Sequence, residues 1–354
     1  MASPDRHPDR GKGSPRPASG PCVSVKDEYE VMLQAKTLPD SAPCPQSGPI
    51  LVTGSHRSGS TWVGNVLSLA AGAGYVHEPF NVKTRRGICA ARFPDDFTYV
   101  TRETEGPYVG PLGDTLRWRY AYTAEIPDLR TPRDVARMAR DGAYFKTRQL
   151  QGARLVMKDP IALFSAEWLS ERFDMPVVTI IRHPAAFVAS LIAAGWTRFH
   201  FSKLLVQERL MEERLAPYRA EIAAAAAELP DDVGVGILLW RLMHHHIRQL
   251  RDDHPDWIFV RHEDLTADPV ASFRDIYGRL GLAFAPDTPE RIANLSEQSG
   301  GLAAFSLFGS RRRVNRNSKD VAKLFRKRLS EEDIRRISDQ AGDVWPDFYT
   351  QDEW

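Results

Sequence analysis

Three cysteines, Cys22, Cys44 and Cys89, are all that the 354-residue sequence contains. They are too few and too widely spaced for a disulfide framework or a zinc site, which points to a reducing, cytoplasmic setting. No apolar run reaches the ~18 residues that a membrane span needs, so no membrane association is expected. The first twenty residues have no apolar core and do not read as a secretory signal. Half of them are Pro, Gly or Ser, a composition that predicts disorder. Net charge is scarce as well: 47 Lys and Arg stand against 46 Asp and Glu, which leaves no general pull toward nucleic acid. The hydrophobic content of 42% is that of an ordinary globular domain, and no internal repeat is present.

The pattern along the chain divides it into an arm, residues 1–47, and a domain, residues 48–354. The domain opens with "PILVTGS", an apolar run into glycine, which reads as a buried strand entering a tight turn. A helix follows from Ser60 and is expected to run until Gly72 and Gly74 stop it. "YVHEPFN" reads as a short extended piece, "ARLVMK" as a strand ending at Lys158, "MPVVTII" as one ending before Arg182, and "DWIFV" as a further strand. Between them lie helical patterns, one opening at Thr131 with Asp134 in an imperfect capping box, and another with Ser330 as N-cap. Residues 81–130 read as loops with small helices, and 200–228 as one or two charged helices. Strands alternating with helices predict an α/β fold, a central parallel sheet covered by helices on both faces. Ligands then belong at the carboxyl ends of the strands.

The first turn, "GSHRSGSTW", has Gly54, Gly59 and Thr61 at the spacing of a phosphate-binding loop. The lysine position is Ser60, and the cation appears as Arg57. A glycine turn feeding a helix start presents unpaired backbone N–H groups and suits an anion. A triphosphate-hydrolysing site wants that lysine and a strand-end carboxylate for magnesium, and the later strand ends at Arg182 instead. The loop therefore suits a phosphate handled without a metal. The consecutive His244, His245 and His246 project about 100° apart on a helix and cannot converge on one ion. Glu263 and Asp264, just after an apolar strand, read as loop anchors.

"SHRSGSTW" resembles the 5′-phosphosulfate loop of the sulfotransferases that use 3′-phosphoadenylyl sulfate (PAPS). "IIRHPAAFVASL" looks like their 3′-phosphate segment, "VRHEDLTADPVASFRDIYGRLGL" is similar to a further stretch common in the family, and the basic run "RRRVNRNSKDVAKLFRKR" matches the fourth. The resemblance covers roughly residues 48–345 and implies a P-loop-NTPase-like sulfotransferase fold, PAPS as donor and 3′-phosphoadenosine 5′-phosphate (PAP) as product. It also implies roles. Arg57, Ser58, Gly59, Ser60, Thr61 and Trp62 would hold the 5′-phosphosulfate, with the Trp62 ring on the adenine. Arg182 and Ser190 would grip the 3′-phosphate, helped from the basic run by candidates among Arg311, Arg312, Arg313, Arg316 and Ser318. The remaining cations of "LFRKRLS" are expected on a solvated face.

Sulfuryl transfer needs positive charge at the bridging oxygen of the leaving phosphate and a base on the acceptor. Arg57 and Lys158 are the cations. Phenol- and steroid-sulfating relatives have a histidine where this chain has Pro160, so another base is required. The Glu-Pro of "YVHEPFN" resembles the carbohydrate-sulfating branch and points to Glu78, whose pKa is expected to be raised. His77 should face away by strand alternation, and His56 is the second candidate base. The acceptor is expected to be a small molecule or carbohydrate, with residues 81–130 and a helical insert at 196–235 lining its site. The rivals are a magnesium-dependent small-molecule kinase and a non-catalytic nucleotide- or RNA-binding protein that uses the basic run.

Overall fold

Five short apolar runs become five strands: β1 (Ile50–Gly54), β2 (Ala73–His77), β3 (Arg154–Lys158), β4 (Val177–Ile181) and β5 (Ile258–Arg261). The structure is a computed structural model and describes residues 48–299 and 324–354; the expected arm, 1–47, lies outside the described residues. The strands form one sheet in the order β2-β3-β1-β4-β5. Every pairing is parallel. Strand alternation sends Ile50, Val52, Val178 and Ile180 to one face and Leu51, Val177 and Ile181 to the other.

Helices cover both faces, as the alternating pattern predicts. On the first face lie α1 (Ser60–Leu67), α8 (Pro269–Arg279) and α9 (Thr288–Ser299), contributing Val66, Phe273, Tyr277 and Ile292 to the core. The other face takes α2 (Gly106–Leu116), α3 (Pro132–Leu150), α4 (Ala166–Phe173), α5 (Pro184–Ala193), α6 (Arg219–Ala227), α7 (Asp232–Asp253) and α10 (Glu331–Gln340). Reciprocal capping boxes start α3 at Thr131 with Asp134 and α10 at Ser330 with Asp333. No described helix is long and apolar enough to cross a membrane.

Two elements differ from the sequence pattern. The first helix stops at Leu67, where the Ser68 hydroxyl donates to the Asn65 carbonyl at 2.7 Å. Gly74 is thereby freed for β2, where a Cβ would lie 2.7 Å from the Trp118 ring. Residues 200–228 break into Ser202–Leu205, Glu208–Glu213, a 3₁₀ turn and α6 rather than one or two long helices.

The first turn depends on close approach. Gly54 has φ of 131°, and a Cβ there would lie 2.3 Å from the Ile180 carbonyl oxygen. At Gly64 a Cβ would lie 3.0 Å from the Lys158 Cβ and 2.8 Å from the Tyr75 ring, so α1 rests directly on β3. Gly54→Ala is expected to cost more than about 2 kcal/mol, because both backbone angle and space oppose it. Urea unfolding measures this, and a loss under about 0.5 kcal/mol would mean that the turn relaxes freely.

Candidate active site

The carboxyl ends of the strands gather the sequence-derived candidates into two adjoining groups. The first is built on the β1–α1 loop. Arg57 sits in a left-handed conformation with φ of 65°. Gly59 caps α1 with φ of 94°, and no side chain closes the helix start. The first N–H groups of α1 are thus left for an anion. Ser58 is fully buried and its hydroxyl has no partner among the described residues. Ser60 and Thr61 form the first turn of α1.

Across from the loop, β4 delivers Arg182 and α5 delivers Ser190. The Arg57 Nε donates to the Ser190 hydroxyl at 3.2 Å, and Arg182 donates to the Arg57 carbonyl. The Arg182 Nε has no partner among the described residues. Glu263 opposes this charge while accepting from the His183 N–H at 3.2 Å and the Tyr349 hydroxyl at 2.9 Å. It therefore ties the β5 end to β4 and to the chain's last residues. Burial, and then the Arg328 charge, lowers the Arg57 pKa below the ordinary arginine value. Burial also lowers that of Arg182, with Arg57 and Arg328 adding to it and Glu263 opposing. Three guanidinium groups thus repel one another around an uncapped helix start.

Arg328 belongs to the stretch expected on a solvated face. Arg326, Lys327 and Arg328 are indeed exposed, while Phe325 beside them packs on the His183 ring, centroids 5.0 Å apart and nearly parallel at 7°, and the Arg328 charge still acts on Arg57. An aromatic residue among cations was the available signal. Arg311, Arg312, Arg313, Arg316 and Ser318 lie outside the described residues. Trp62 is 3% exposed and meets Phe273 edge-on at 5.1 Å, so here its ring packs against the core. Its helical spacing with Val66 fits a core position as well as a ligand position.

The second group forms where β2 and β3 end side by side. Lys158 is 1% exposed, and its ammonium donates to the Glu78 carboxylate at 2.5 Å. Asn81 holds the other carboxylate oxygen at 2.9 Å. Glu78 also has a left-handed backbone, φ 44°, and its N–H donates to the Lys158 carbonyl at 2.8 Å. A non-glycine residue in that region costs about 1–3 kcal/mol, a strain that clusters at functional sites. Burial raises the Glu78 pKa, but Lys158, His77 and Asn81 together outweigh it and hold the carboxyl below its ordinary value. The expected rise is thus reversed, and Glu78 is ionised at neutral pH.

His77 does not face away. The turn at Glu78 breaks the strand alternation, and the His77 Nε2 lies 3.7 Å from the Glu78 carboxylate, with its Nδ1 3.1 Å from the Tyr75 hydroxyl. His56, the second candidate base, is neutral: burial, then Arg57, lowers its pKa to about 3, against a smaller opposing effect of Glu78. Asp159 was missed. Its carboxylate accepts from the N–H groups of Phe80 at 2.7 Å and Ile161 at 3.0 Å, so it fastens the segment after Glu78 to the end of β3. A carboxylate directly following a strand-end lysine was its signal.

The three histidines of α7 have separate partners. The His244 Nδ1 meets the Trp240 carbonyl, His245 meets Arg248, and His246 packs against Phe164. Among the described residues no cluster of His, Cys, Asp and Glu is arranged to hold a metal ion.

Comparison with known proteins gives one family. The model described as "Sulfotransferase family" matches residues 49–286. Carbohydrate sulfotransferase 2 of Mus musculus and that of Homo sapiens are each 23% identical over 225 residues, 59% of this chain and 40% of theirs. The chain therefore spans about two fifths of the length of these curated relatives. A solved sulfotransferase domain from the curacin biosynthetic pathway aligns over 84% of this chain and 98% of its own, with 17% identity and a TM-score of 0.41.

The buried ion pair makes a specific demand. Lys158→Met leaves Glu78 buried with no cation and is expected to cost about 3 kcal/mol at pH 7.5. Without Lys158 the carboxyl pKa rises, so the variant regains stability as the pH falls and Glu78 takes up a proton. Urea midpoints at pH 7.5 and 5.5 check both, and equal losses at the two values would contradict the pairing.

Proposed function

The chain belongs to the sulfotransferase family, and on that premise we propose that it moves a sulfuryl group from PAPS to a hydroxyl of a small-molecule or carbohydrate acceptor. The observation that carries this reading is the meeting of Arg57 and Arg182 beside the uncapped start of α1. Burial disfavours the charge of Arg57 and Arg182, an anion beside them would favour it, and PAPS brings charge at both its 5′ and 3′ positions. The loop from Arg57 to Thr61 takes the 5′-phosphosulfate, and Arg182 with Ser190 takes the 3′-phosphate. Arg313, Arg316 and Ser318 remain donor-binding candidates from the sequence.

In the transfer the acceptor oxygen attacks sulfur in line, the bond from sulfur to the bridging phosphate oxygen breaks, and PAP leaves. Arg57 and Lys158 stabilise the charge that develops on that oxygen. Glu78, whose pKa Lys158 holds below the ordinary carboxylate value, takes the hydroxyl proton. A carbohydrate hydroxyl is supported by the Glu-Pro pair and by the names of the curated relatives. The cysteine spacing supports a cytoplasmic setting.

Calorimetry with PAP in EDTA, against AMP and ATP-magnesium, tests the donor. Binding that requires the 3′-phosphate is expected, and a preference for ATP-magnesium would favour a kinase. Arg182→Ala should weaken PAP binding by about 2–4 kcal/mol. Glu78→Gln should keep PAP affinity while turnover falls roughly 10²–10⁴-fold. Turnover that survives the change would pass the base role to His56 or a water.

A further inference from the structure

Of the eight tryptophans, Trp196 alone is strongly exposed, at 54%, and it stands beside the phosphate loop. Its place is set by the end of α5. Gly195 turns left-handed with φ of 67°, and the Trp196 N–H donates to the Leu191 carbonyl at 3.2 Å. The indole then lies beneath the Arg57 guanidinium, 5.2 Å from the ring centre, and roughly parallel to the His56 ring at 6.2 Å and 29°. An indole left half in water forgoes much of the burial energy that a flat partner would recover.

His56 gives a second, independent sign of a ligand. Its ring is 8% exposed and is fixed by Phe187 at 5.1 Å and Phe97 at 5.6 Å. Yet its Nδ1 is buried with no hydrogen-bond partner among the described residues. A buried polar atom without a partner costs about 1–3 kcal/mol, so the site is incomplete as it stands. The Glu78 charge acts on this ring, opposing in part the effect of burial.

Resting on the sulfuryl-transfer reading, we propose that Trp196 is the platform of the acceptor site, with His56 behind it as a hydrogen-bonding group, and that the acceptor carries its hydroxyl on a ring with an apolar face. A ring covers the indole at little cost in rotamer freedom, whereas an extended alcohol must freeze its torsions to cover the same area. A sugar and a phenol both have such a face.

Ligand-observed NMR on the PAP complex tests this with three probes: methyl β-D-glucopyranoside, phenol and 1,6-hexanediol. At least one ring is expected to bind about tenfold more tightly than the diol, and which ring it is separates a sugar from an arene. Trp196→Gln should abolish that preference, and Trp196→Phe should restore it to within about threefold. Unchanged thermal midpoints confirm that both variants fold. Equal binding of diol and rings, or a ring preference that survives Trp196→Gln, overturns the assignment. If PAP itself does not bind the native protein, the donor reading fails instead, and the ring comparison is made on the donor-free protein with the same two criteria.

Discussion

A lysine with 1% of its surface exposed has to be answered by a negative charge, and Glu78 answers it. Removing an ammonium group from water costs several kcal/mol, which only a close and well-bonded partner offsets. Much of the local structure follows from this demand. The carboxylate reaches Lys158 because β2 ends level with β3, His77 opposite Lys158, and because Glu78 then accepts a left-handed backbone angle. Asn81 and Asp159 hold the following turn in place. The pair also sets the chemical state of the site, since it keeps the carboxylate charged and so able to accept a proton.

The arginine group is the converse case. Arg57 and Arg182 meet beside a helix start with no side-chain cap, Glu263 opposing the Arg182 charge. One half of the site is thus built on a closed ion pair, and the other on guanidinium groups whose charge burial disfavours. Arg57 joins the two sides, bonded to Ser190 and lying over Trp196.

The parallel sheet was legible because its strands are short apolar runs that end in glycine or a charge, and the caps at Thr131 and Ser330 were legible because they are local chemistry. What stayed hidden was non-local or broke a period. His77 was misplaced because alternation assumes an extended residue at 78, where the chain turns left-handed. Trp62 was ambiguous because one helical face suits a core residue and a ligand residue alike. Arg328 is exposed as expected, but nothing near it in sequence shows that its neighbour Phe325 packs on His183. Tyr349, which bonds Glu263 across 86 positions, carries no local signal at all.

Gly64 touches no candidate ligand, yet it works as a spacer. With no side chain there, α1 lies directly on the stem of Lys158 and on Tyr75. The gap between the phosphate loop and the buried cation is thereby set by one missing methyl group. A larger residue would lift the helix, and with it the whole cradle, away from the charge it works beside. Reach between donor and cation is thus adjustable at a position that no inventory of contacting residues would include.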